Sequence, residues 1–306
     1  MKFGLTIPVT IGKNWRKNLL DSLPIIENSG ISSLLVWDHY MLPEKYGEES
    51  NNTIDAWTLL SFIAANTTKI KLGTCVTPIP FRPPQILAKI VSSLDNISNG
   101  RIILGIGAGW HKPEFDGYSE WNNNKIRFEK TVEGIEIMKK LWTEDQVSFS
   151  GKYYKIEEAI LEPKPIQKPY PELWFGTTGD KMLKLMAKYG AAWIPVGINS
   201  ESYNKFAEYI KTISKKKITL TYYDHRDIGT YDINNRINEY EKVGCEYFIG
   251  LLTVMIRKDT ILNLSNPFNT NFDIIGDFDL FIRIAQDWKI IYITTGNRTT
   301  SLHRFL

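Results

Sequence analysis

The chain has 306 residues, 43% of them hydrophobic and 23% charged, so it can bury a sizeable core. The 37 lysines and arginines against 34 aspartates and glutamates leave a net charge of +3, without the clustered cations of a nucleic-acid binder. No apolar run approaches the roughly 18 residues of a spanning helix, so no membrane association is expected. The first residues enter a predicted strand directly, which leaves no room for a signal peptide. Two cysteines, Cys75 and Cys245, indicate a reduced, cytoplasmic protein.

Short apolar runs alternate with longer amphipathic ones over the first 250 or so residues, a pattern typical of repeated strand–helix units around a parallel sheet. The pattern predicts eight strands, at Phe3–Pro8, Leu34–Trp37, Lys69–Val76, Arg101–Ile106, Leu173–Gly176, Ala192–Val196, Ile218–Tyr223 and Tyr247–Leu251. It also predicts a second helix, which follows a cap at Thr53 and includes Trp57, Leu60 and Ile63. The other predicted helices are Asn18–Asn28, Pro84–Leu94, Lys125–Leu141, Lys181–Tyr189, Tyr203–Ile213 and Ile233–Val243. Val147–Ile156 alternates around Ser150-Gly151 and predicts a hairpin.

Eight strands, with a helix after each of the first seven, indicate an α/β fold of the closed (β/α)8 TIM-barrel class. The competing architecture is an open doubly wound sheet, which carries a glycine fingerprint after its first strand, where Ile7–Thr10 stands here. In a barrel the chemistry lies where the strands end. The positions to inspect are therefore His39, 74–78, 107–114, 176–179 and 195–199.

Asp38-His39 follows the second strand, where an imidazole beside a carboxylate can act as a general acid or base or as a partner for a cofactor. An ordinary rim histidine is the alternative. Cys75 is either a nucleophile or, as we favour, a small buried thiol, because no basic residue adjoins it. The four histidines have no neighbouring ligand set, so no metal site is predicted.

Two glycine-rich loops also end predicted strands. Gly105–Trp110 allows a flat ring or a phosphate to approach the backbone, although a turn alone also explains it. Gly176–Gly179 precedes a helix whose N-terminus could hold a phosphate, with a plain turn and a threonine cap as the alternative. Four tryptophans near strand ends are candidates either for a planar ligand's pocket or for the core: Trp37, Trp57, Trp110 and Trp174.

Three segments together resemble the luciferase-like superfamily, and in particular its branch of coenzyme F420-dependent oxidoreductases. They are Val36–His39, Ile70–Pro78 and Gly100–Phe115, with supporting stretches at 141–144, 149–154 and 163–169. The resemblance runs in order from residue 1 to about 250. It implies a barrel whose mouth binds a deazaflavin or flavin and moves a hydride at C5 or N5 of that ring.

The resemblance also implies roles for individual residues. His39 and Asp38 match catalytic positions that face the ring and the substrate, with His39 as proton donor or acceptor. Thr74, Cys75 and Val76 match the bulge behind the ring, where a cis peptide bond is expected between Cys75 and Val76. Ala108 and Gly109 match positions that contact the ring, and Gly176, Thr177, Thr178 and Gly179 match a phosphate-holding turn. Sugar-phosphate dehydrogenases of this branch have a carboxylate directly after the glycine matching Gly109, whereas this chain has Trp110.

The chain therefore divides into a luciferase-like barrel, 1–251, and an atypical extension, 252–306, that resembles a fragment of a family 2 glycosyltransferase. In that resemblance Asp277 matches the catalytic base. The main hypothesis is an F420-dependent oxidoreductase acting on a small organic substrate. The alternatives are a reduced-FMN-dependent monooxygenase of the same superfamily and a non-catalytic barrel whose closure the extension spoils. A homodimer is expected from the resemblance alone.

Overall fold

A computed structural model describes residues 1–7, 9–11, 14–43, 52–225 and 233–251 of the protein. The predicted extension at 252–306, with its glycosyltransferase-like stretch, lies outside the described residues. Within the described ranges, none of the helices is both long and apolar enough to cross a membrane.

Eight parallel strands close into a barrel, as the sequence predicts. They are β1 (Lys2–Ile7), β2 (Ser33–Val36), β3 (Lys71–Thr74), β5 (Ile102–Gly107), β8 (Glu172–Phe175), β9 (Ala192–Trp193), β10 (Thr219–Asp224) and β11 (Tyr247–Leu251). Each pairs with the next in that order, and β11 returns to pair with β1 over Lys2–Thr6, so the ring closes without residues 252–306. The open doubly wound alternative is therefore wrong.

Helices connect the strands on the outside of the barrel. They are α1 (Trp15–Asn28), α2 (Ala56–Ala65), α3 (Pro84–Ile97), α4 (Lys112–Tyr118), α5 (Asn124–Thr143), α6 (Asp180–Tyr189), α7 (Ser200–Ile213) and α8 (Ile233–Lys242). The periodicity did not predict α4, which is only seven residues long. The predicted hairpin is present as the antiparallel pair β6 (Val147–Ser150) and β7 (Lys155–Ala159).

Two local predictions need correction. Thr53 does not cap α2: the cap is Asp55, whose carboxylate accepts from the backbone N–H of Thr58 at 2.8 Å, and the Thr53 hydroxyl donates to the carbonyl of Tyr40 instead. The strand predicted over 69–76 ends at Thr74, and a two-residue strand, β4 (Thr77–Pro78), resumes the pairing with β5.

Side chains alternate between two packed layers, because successive residues of a strand face opposite sides of the sheet. The outer layer, between strands and helices, is the larger, and it includes Leu34, Val36, Leu104 and Ile106. A smaller cluster fills the barrel interior, as expected for a barrel of eight strands. Its buried members are Leu35, Cys75, Ile103, Trp174, Ala192, Ile194, Tyr223, Tyr247 and Ile249.

Candidate active site at the carboxyl ends of the strands

Just beyond the carboxyl end of β2, the imidazole of His39 is paired with the carboxylate of Glu114. His39 Nδ1 lies 2.9 Å from Glu114 Oε2, and the side chains are 16% and 1% exposed respectively. Glu114 Oε1 accepts hydrogen bonds from the backbone N–H groups of Tyr40 and Met41. Since Glu114 belongs to α4, it fastens the loop after β2 to the helix that follows β5.

The indole of Trp110 flanks the same imidazole. The ring centroids of Trp110 and His39 are 5.8 Å apart in an edge-to-face arrangement, and Trp110 is 57% exposed. The ring of His111 lies 5.1 Å from that of Trp110. Burial lowers the pKa of His111, Glu114 opposes that shift, and the neighbouring His39 adds to it. The partly exposed imidazole of His39 thus contacts both the buried carboxylate of Glu114 and the exposed indole of Trp110.

Asp38 has a different environment from its neighbour His39. Its two carboxylate oxygens accept from the two terminal nitrogens of the Arg82 guanidinium at 2.7 Å each, and the Thr77 hydroxyl donates to Oδ2 at 2.7 Å. Burial acts to lower the pKa of Arg82, but the charge and hydrogen bonds of Asp38, together with the charges of Tyr40 and Asp55, outweigh it and the pKa is raised. Asp38 is 1% exposed, so its carboxylate is enclosed by protein groups.

The wall beside these residues is made of glycines and one valine. In β5, Ile103 faces the barrel interior, so period-two alternation places Gly105 and Gly107 on the same inward face. A Cβ at Gly107 would lie 2.7 Å from Val76 Cγ2, and one at Gly176, after β8, would lie 2.9 Å from Val76 Cγ1. Val76 therefore packs over strand ends that carry no side chains, and it keeps part of its own surface exposed.

The three predicted residues of the bulge differ in exposure. Thr74 is 1% exposed, and its hydroxyl oxygen lies 2.9 Å from that of Thr77. Cys75 is 8% exposed in the interior cluster, where burial raises the pKa of its thiol, so the buried-thiol interpretation is favoured over a nucleophile. The peptide bond between Cys75 and Val76 is cis, which confirms what the resemblance implied.

The turn between β5 and α4 requires glycine at one position. Gly109 has φ of +83°, and a Cβ there would lie 2.4 Å from the ring of Phe115. Ala108 and Gly109 are both half-buried. The backbone of this turn thus passes close over the Phe115 ring and turns the chain into α4.

The 176–179 turn leads from β8 into α6. The backbone N–H of Gly179 donates to the Thr177 hydroxyl at 3.1 Å, and the indole N–H of Trp193 donates to the Thr177 carbonyl at 2.7 Å. Thr178 and Gly179 are exposed. These contacts hold the turn in shape and leave its outer residues open to solvent.

The four tryptophans divide between mouth and core. Trp57 and Trp174 are each 3% exposed, in the outer layer and the barrel interior respectively, so for them the core interpretation holds. Trp37 is half-buried, and its indole N–H donates to the Tyr223 hydroxyl at 2.8 Å. Of these four tryptophans, Trp37 and Trp110 are therefore the two whose exposed surface a ligand could contact.

Sequence reasoning missed two residues of this site. Glu114 lies 75 positions after His39, and no sequence pattern connects the two residues, yet α4 folds the carboxylate back onto the imidazole. Arg82 is in no predicted element, and a basic residue between Phe81 and Pro83 gives no pattern that points to Asp38. Among the residues the structure describes, no group of three histidine, cysteine or acidic side chains lies close enough together to hold a metal ion.

The family is established by comparison with known proteins. The model of the luciferase-like monooxygenase family matches residues 1–219, so the chain belongs to this family. A search of solved structures finds the same fold in an F420-dependent secondary alcohol dehydrogenase in complex with an F420–acetone adduct. That match has a TM-score of 0.68 and 21% identity, and covers 82% of this chain and 94% of the other.

Curated relatives match over shorter stretches. The chain is 33% identical over 131 residues to an FMNH2-dependent dimethylsulfone monooxygenase of Pseudomonas putida, covering 42% of this chain and 36% of that protein. It is 30% identical over 180 residues to an F420-dependent glucose-6-phosphate dehydrogenase of Amycolatopsis mediterranei, covering 58% and 53%. The chain thus spans about a third to a half of the length of these relatives.

Proposed function

We propose that residues 1–251 form the catalytic barrel of an oxidoreductase that transfers a hydride between coenzyme F420 and a small organic substrate. The observation that carries the proposal is that a partly exposed imidazole, His39, and the glycine-lined Val76 wall follow two paired strands at the same end of the barrel. The two lie just beyond the carboxyl ends of adjacent strands, where the backbone N–H of Cys75 donates to the carbonyl of Val36 at 2.8 Å. This end of the barrel is where enzymes of the fold carry out their chemistry.

A flat tricyclic ring is proposed to lie against Val76, because glycines at the neighbouring strand ends make room for the valine side chain. Gly105, Gly107 and Gly176 remove the inward side chains at the ends of two neighbouring strands, and Val76 presents a branched apolar surface in front of them. When bound, a deazaflavin or flavin supplies the hydride chemistry at C5 or N5, and the protein fixes its orientation.

The 176–179 turn is proposed to bind a phosphate of the cofactor. Thr178 and Gly179 are exposed at the N-terminus of α6, where the helix dipole favours an anion. Asp180, in the first turn, would oppose this, but its carboxylate accepts hydrogen bonds from Lys184 and Tyr209. Those bonds lower the pKa of Asp180 and direct its charge toward protein partners.

His39 is proposed to carry the proton that accompanies hydride transfer. Its Nδ1 is engaged by Glu114, which leaves Nε2 as the ring atom able to accept or return the proton of a substrate hydroxyl or carbonyl. Trp110 shields one side of the imidazole from water. Asp38, enclosed by Arg82 and Thr77, is proposed to hold the loop after β2 in place rather than to touch substrate.

F420 is proposed over FMN because the F420-dependent relative matches 58% of the chain, against 42% for the FMNH2-dependent one. The second candidate function is a reduced-FMN-dependent monooxygenase, which the higher identity of that shorter match favours. The third alternative, a barrel left open by its extension, loses its premise because β11 pairs with β1. Both cysteines are free, buried thiols, which supports the expected reducing compartment.

Titration of the full chain with F420 and with FMN, each oxidised and reduced, tests the proposal by absorbance and fluorescence. Tight binding of F420 and weak binding of FMN is the expected result, and the reverse would support the monooxygenase. Gly107→Ala should abolish binding, because its Cβ would meet Val76 at 2.7 Å, whereas Gly117→Ala, whose Cβ meets only Met41 Sδ at 3.7 Å, should not. A folded protein that binds neither compound would overturn the assignment.

A further inference from the structure

We propose that Glu114 is a positioning residue that fixes the tautomer of His39, with the proton on Nδ1 and the lone pair on Nε2. The tautomer assignment stands on the contacts of Glu114 alone. Only the consequence for proton transfer rests on the proposed function.

The two oxygens of Glu114 have separate tasks. Oε1 accepts from the backbone N–H groups of Tyr40 and Met41, which fixes the carboxylate and the loop after β2 relative to each other. Oε2 has one recorded partner in the described part of the chain, His39 Nδ1, at 2.9 Å. A carboxylate can only accept hydrogen bonds, so Nδ1 must be the donor of this contact. In the neutral imidazole, Nε2 then carries the lone pair.

Burial makes this constraint effective. Glu114 is 1% exposed, so water does not compete for Oε2, and a hydrogen bond to a buried charged group is stronger than one between neutral groups. The backbone bonds also hold the carboxylate at a fixed position with respect to the ring. His39 is 16% exposed, and its neighbour Trp110 covers one edge, so the ring has little freedom to reorient.

A purely structural role for Glu114 is the competing explanation, since clamping two backbone N–H groups would by itself explain a buried carboxylate. The two explanations differ in what Glu114→Gln does. The amide oxygen can still accept from Tyr40 and Met41, but the amide NH2 then faces Nδ1 and donates to it. The structural role predicts no change at His39, whereas the positioning role predicts that the proton moves to Nε2.

Nitrogen NMR of protein labelled with 15N-histidine tests this directly, at alkaline pH and without cofactor. The chain has four histidines, and the His39 signals are assigned by their loss in His39→Asn. Wild type should show a protonated Nδ1 and an unprotonated Nε2 at His39, and Glu114→Gln should show the reverse. Asp116→Asn, which removes an exposed charge from the same helix, should leave the wild-type pattern unchanged.

A neutral ring with its proton on Nε2 and an unprotonated Nδ1 in wild type would overturn the inference, because it would mean that Glu114 donates to Nδ1. An unchanged pattern in folded Glu114→Gln would likewise leave only the structural role. With a turned-over substrate, Glu114→Gln should lower kcat by about 10²-fold, the low end of what positioned proton transfer contributes, with KM and cofactor affinity nearly unchanged. If the protein binds no cofactor, the proposed function fails, and the NMR result still decides the tautomer.

Discussion

Asp38 and Arg82 form a bidentate ion pair, in which each terminal nitrogen of the guanidinium lies 2.7 Å from a different oxygen of the carboxylate. Both side chains are at most 9% exposed, and Arg82 also contacts Asp55 at 3.2 Å. Arg82 precedes α3, whereas Asp38 follows β2 and Asp55 caps α2. The pair therefore ties three connecting segments of the mouth together, one residue away from the imidazole of His39.

Replacing Asp38 by asparagine should destabilise the protein strongly. The substitution removes the buried counter-charge of the Arg82 guanidinium and leaves only the more exposed Asp55, and breaking a buried pair in this way costs about 3–5 kcal/mol. The measurement is the free energy of unfolding from urea titration. Asp55→Asn is the matched control, because Asp55 is 36% exposed and asparagine can retain the α2 cap, so its cost should stay below about 1 kcal/mol. Equal losses in the two variants would contradict this account.

Removing the imidazole of His39 should impair turnover far more than cofactor binding. His39→Ala takes away the ring atom proposed to carry the proton, a contribution of about 10²- to 10⁴-fold to rate. The Val76 wall and the 176–179 turn are unchanged in this variant, so the dissociation constant for F420 should stay within a few-fold of wild type. Steady-state kinetics and a binding titration on the same preparation make the comparison. A parallel loss of kcat and affinity would instead place His39 in the cofactor's binding surface.

The fold was predictable because its determinants are local. Each strand is a short apolar run and each long helix has an amphipathic period, so their number and order followed from patterning alone, and β11 was bounded correctly at Tyr247–Leu251. Prediction failed where a short element depends on tertiary contact. α4 is seven residues long and is held by Phe115 under Gly109. The regular pairing of β9 covers only Ala192–Trp193, although Val196 still forms an isolated bridge with Tyr223.

The site was predictable only in part, for a related physical reason. His39 and the glycines follow strands directly, so their place at the mouth follows from the barrel. The partners that define their chemistry come from other segments: Glu114 from α4 and Arg82 from the loop before α3. An adjacent pair such as Asp38-His39 gives no indication of which member is enclosed by an arginine and which keeps exposed surface.

The two cysteines should be unreactive in the folded protein. Their thiols should also make the free energy of unfolding fall as the pH rises into the alkaline range. Burial raises the thiol pKa of Cys75, and raises that of Cys245 to about 11, above the ordinary value of about 8.5 in an unfolded chain. As the pH rises past about 8.5 the unfolded state loses these protons first, so it is favoured. The stability present below that pH is lost progressively up to the folded-state pKa.

Two measurements check the cysteine prediction. A thiol reagent at neutral pH should label neither cysteine in native protein and both after denaturation in urea. The loss of unfolding free energy between about pH 8 and pH 10 should be smaller in Cys245→Ala than in wild type, by about 1–2 kcal/mol. Rapid labelling of native protein would mean that the thiols are accessible, which would contradict their burial.

Gly109 and Gly30 form a matched pair for testing the turn that leads into α4. Both have positive φ, +83° and +82°, so alanine is strained at either position by about 1–2 kcal/mol. A Cβ at Gly30 meets nothing within 4 Å, whereas one at Gly109 would lie 2.4 Å from the Phe115 ring. Gly109→Ala should therefore cost about 1–3 kcal/mol more than Gly30→Ala in urea unfolding, the usual penalty of overpacking. Because Phe115 follows Glu114 directly, displacement of its ring should also disturb the His39 contact, which the histidine NMR signals would report, and Gly30→Ala should leave those signals unchanged.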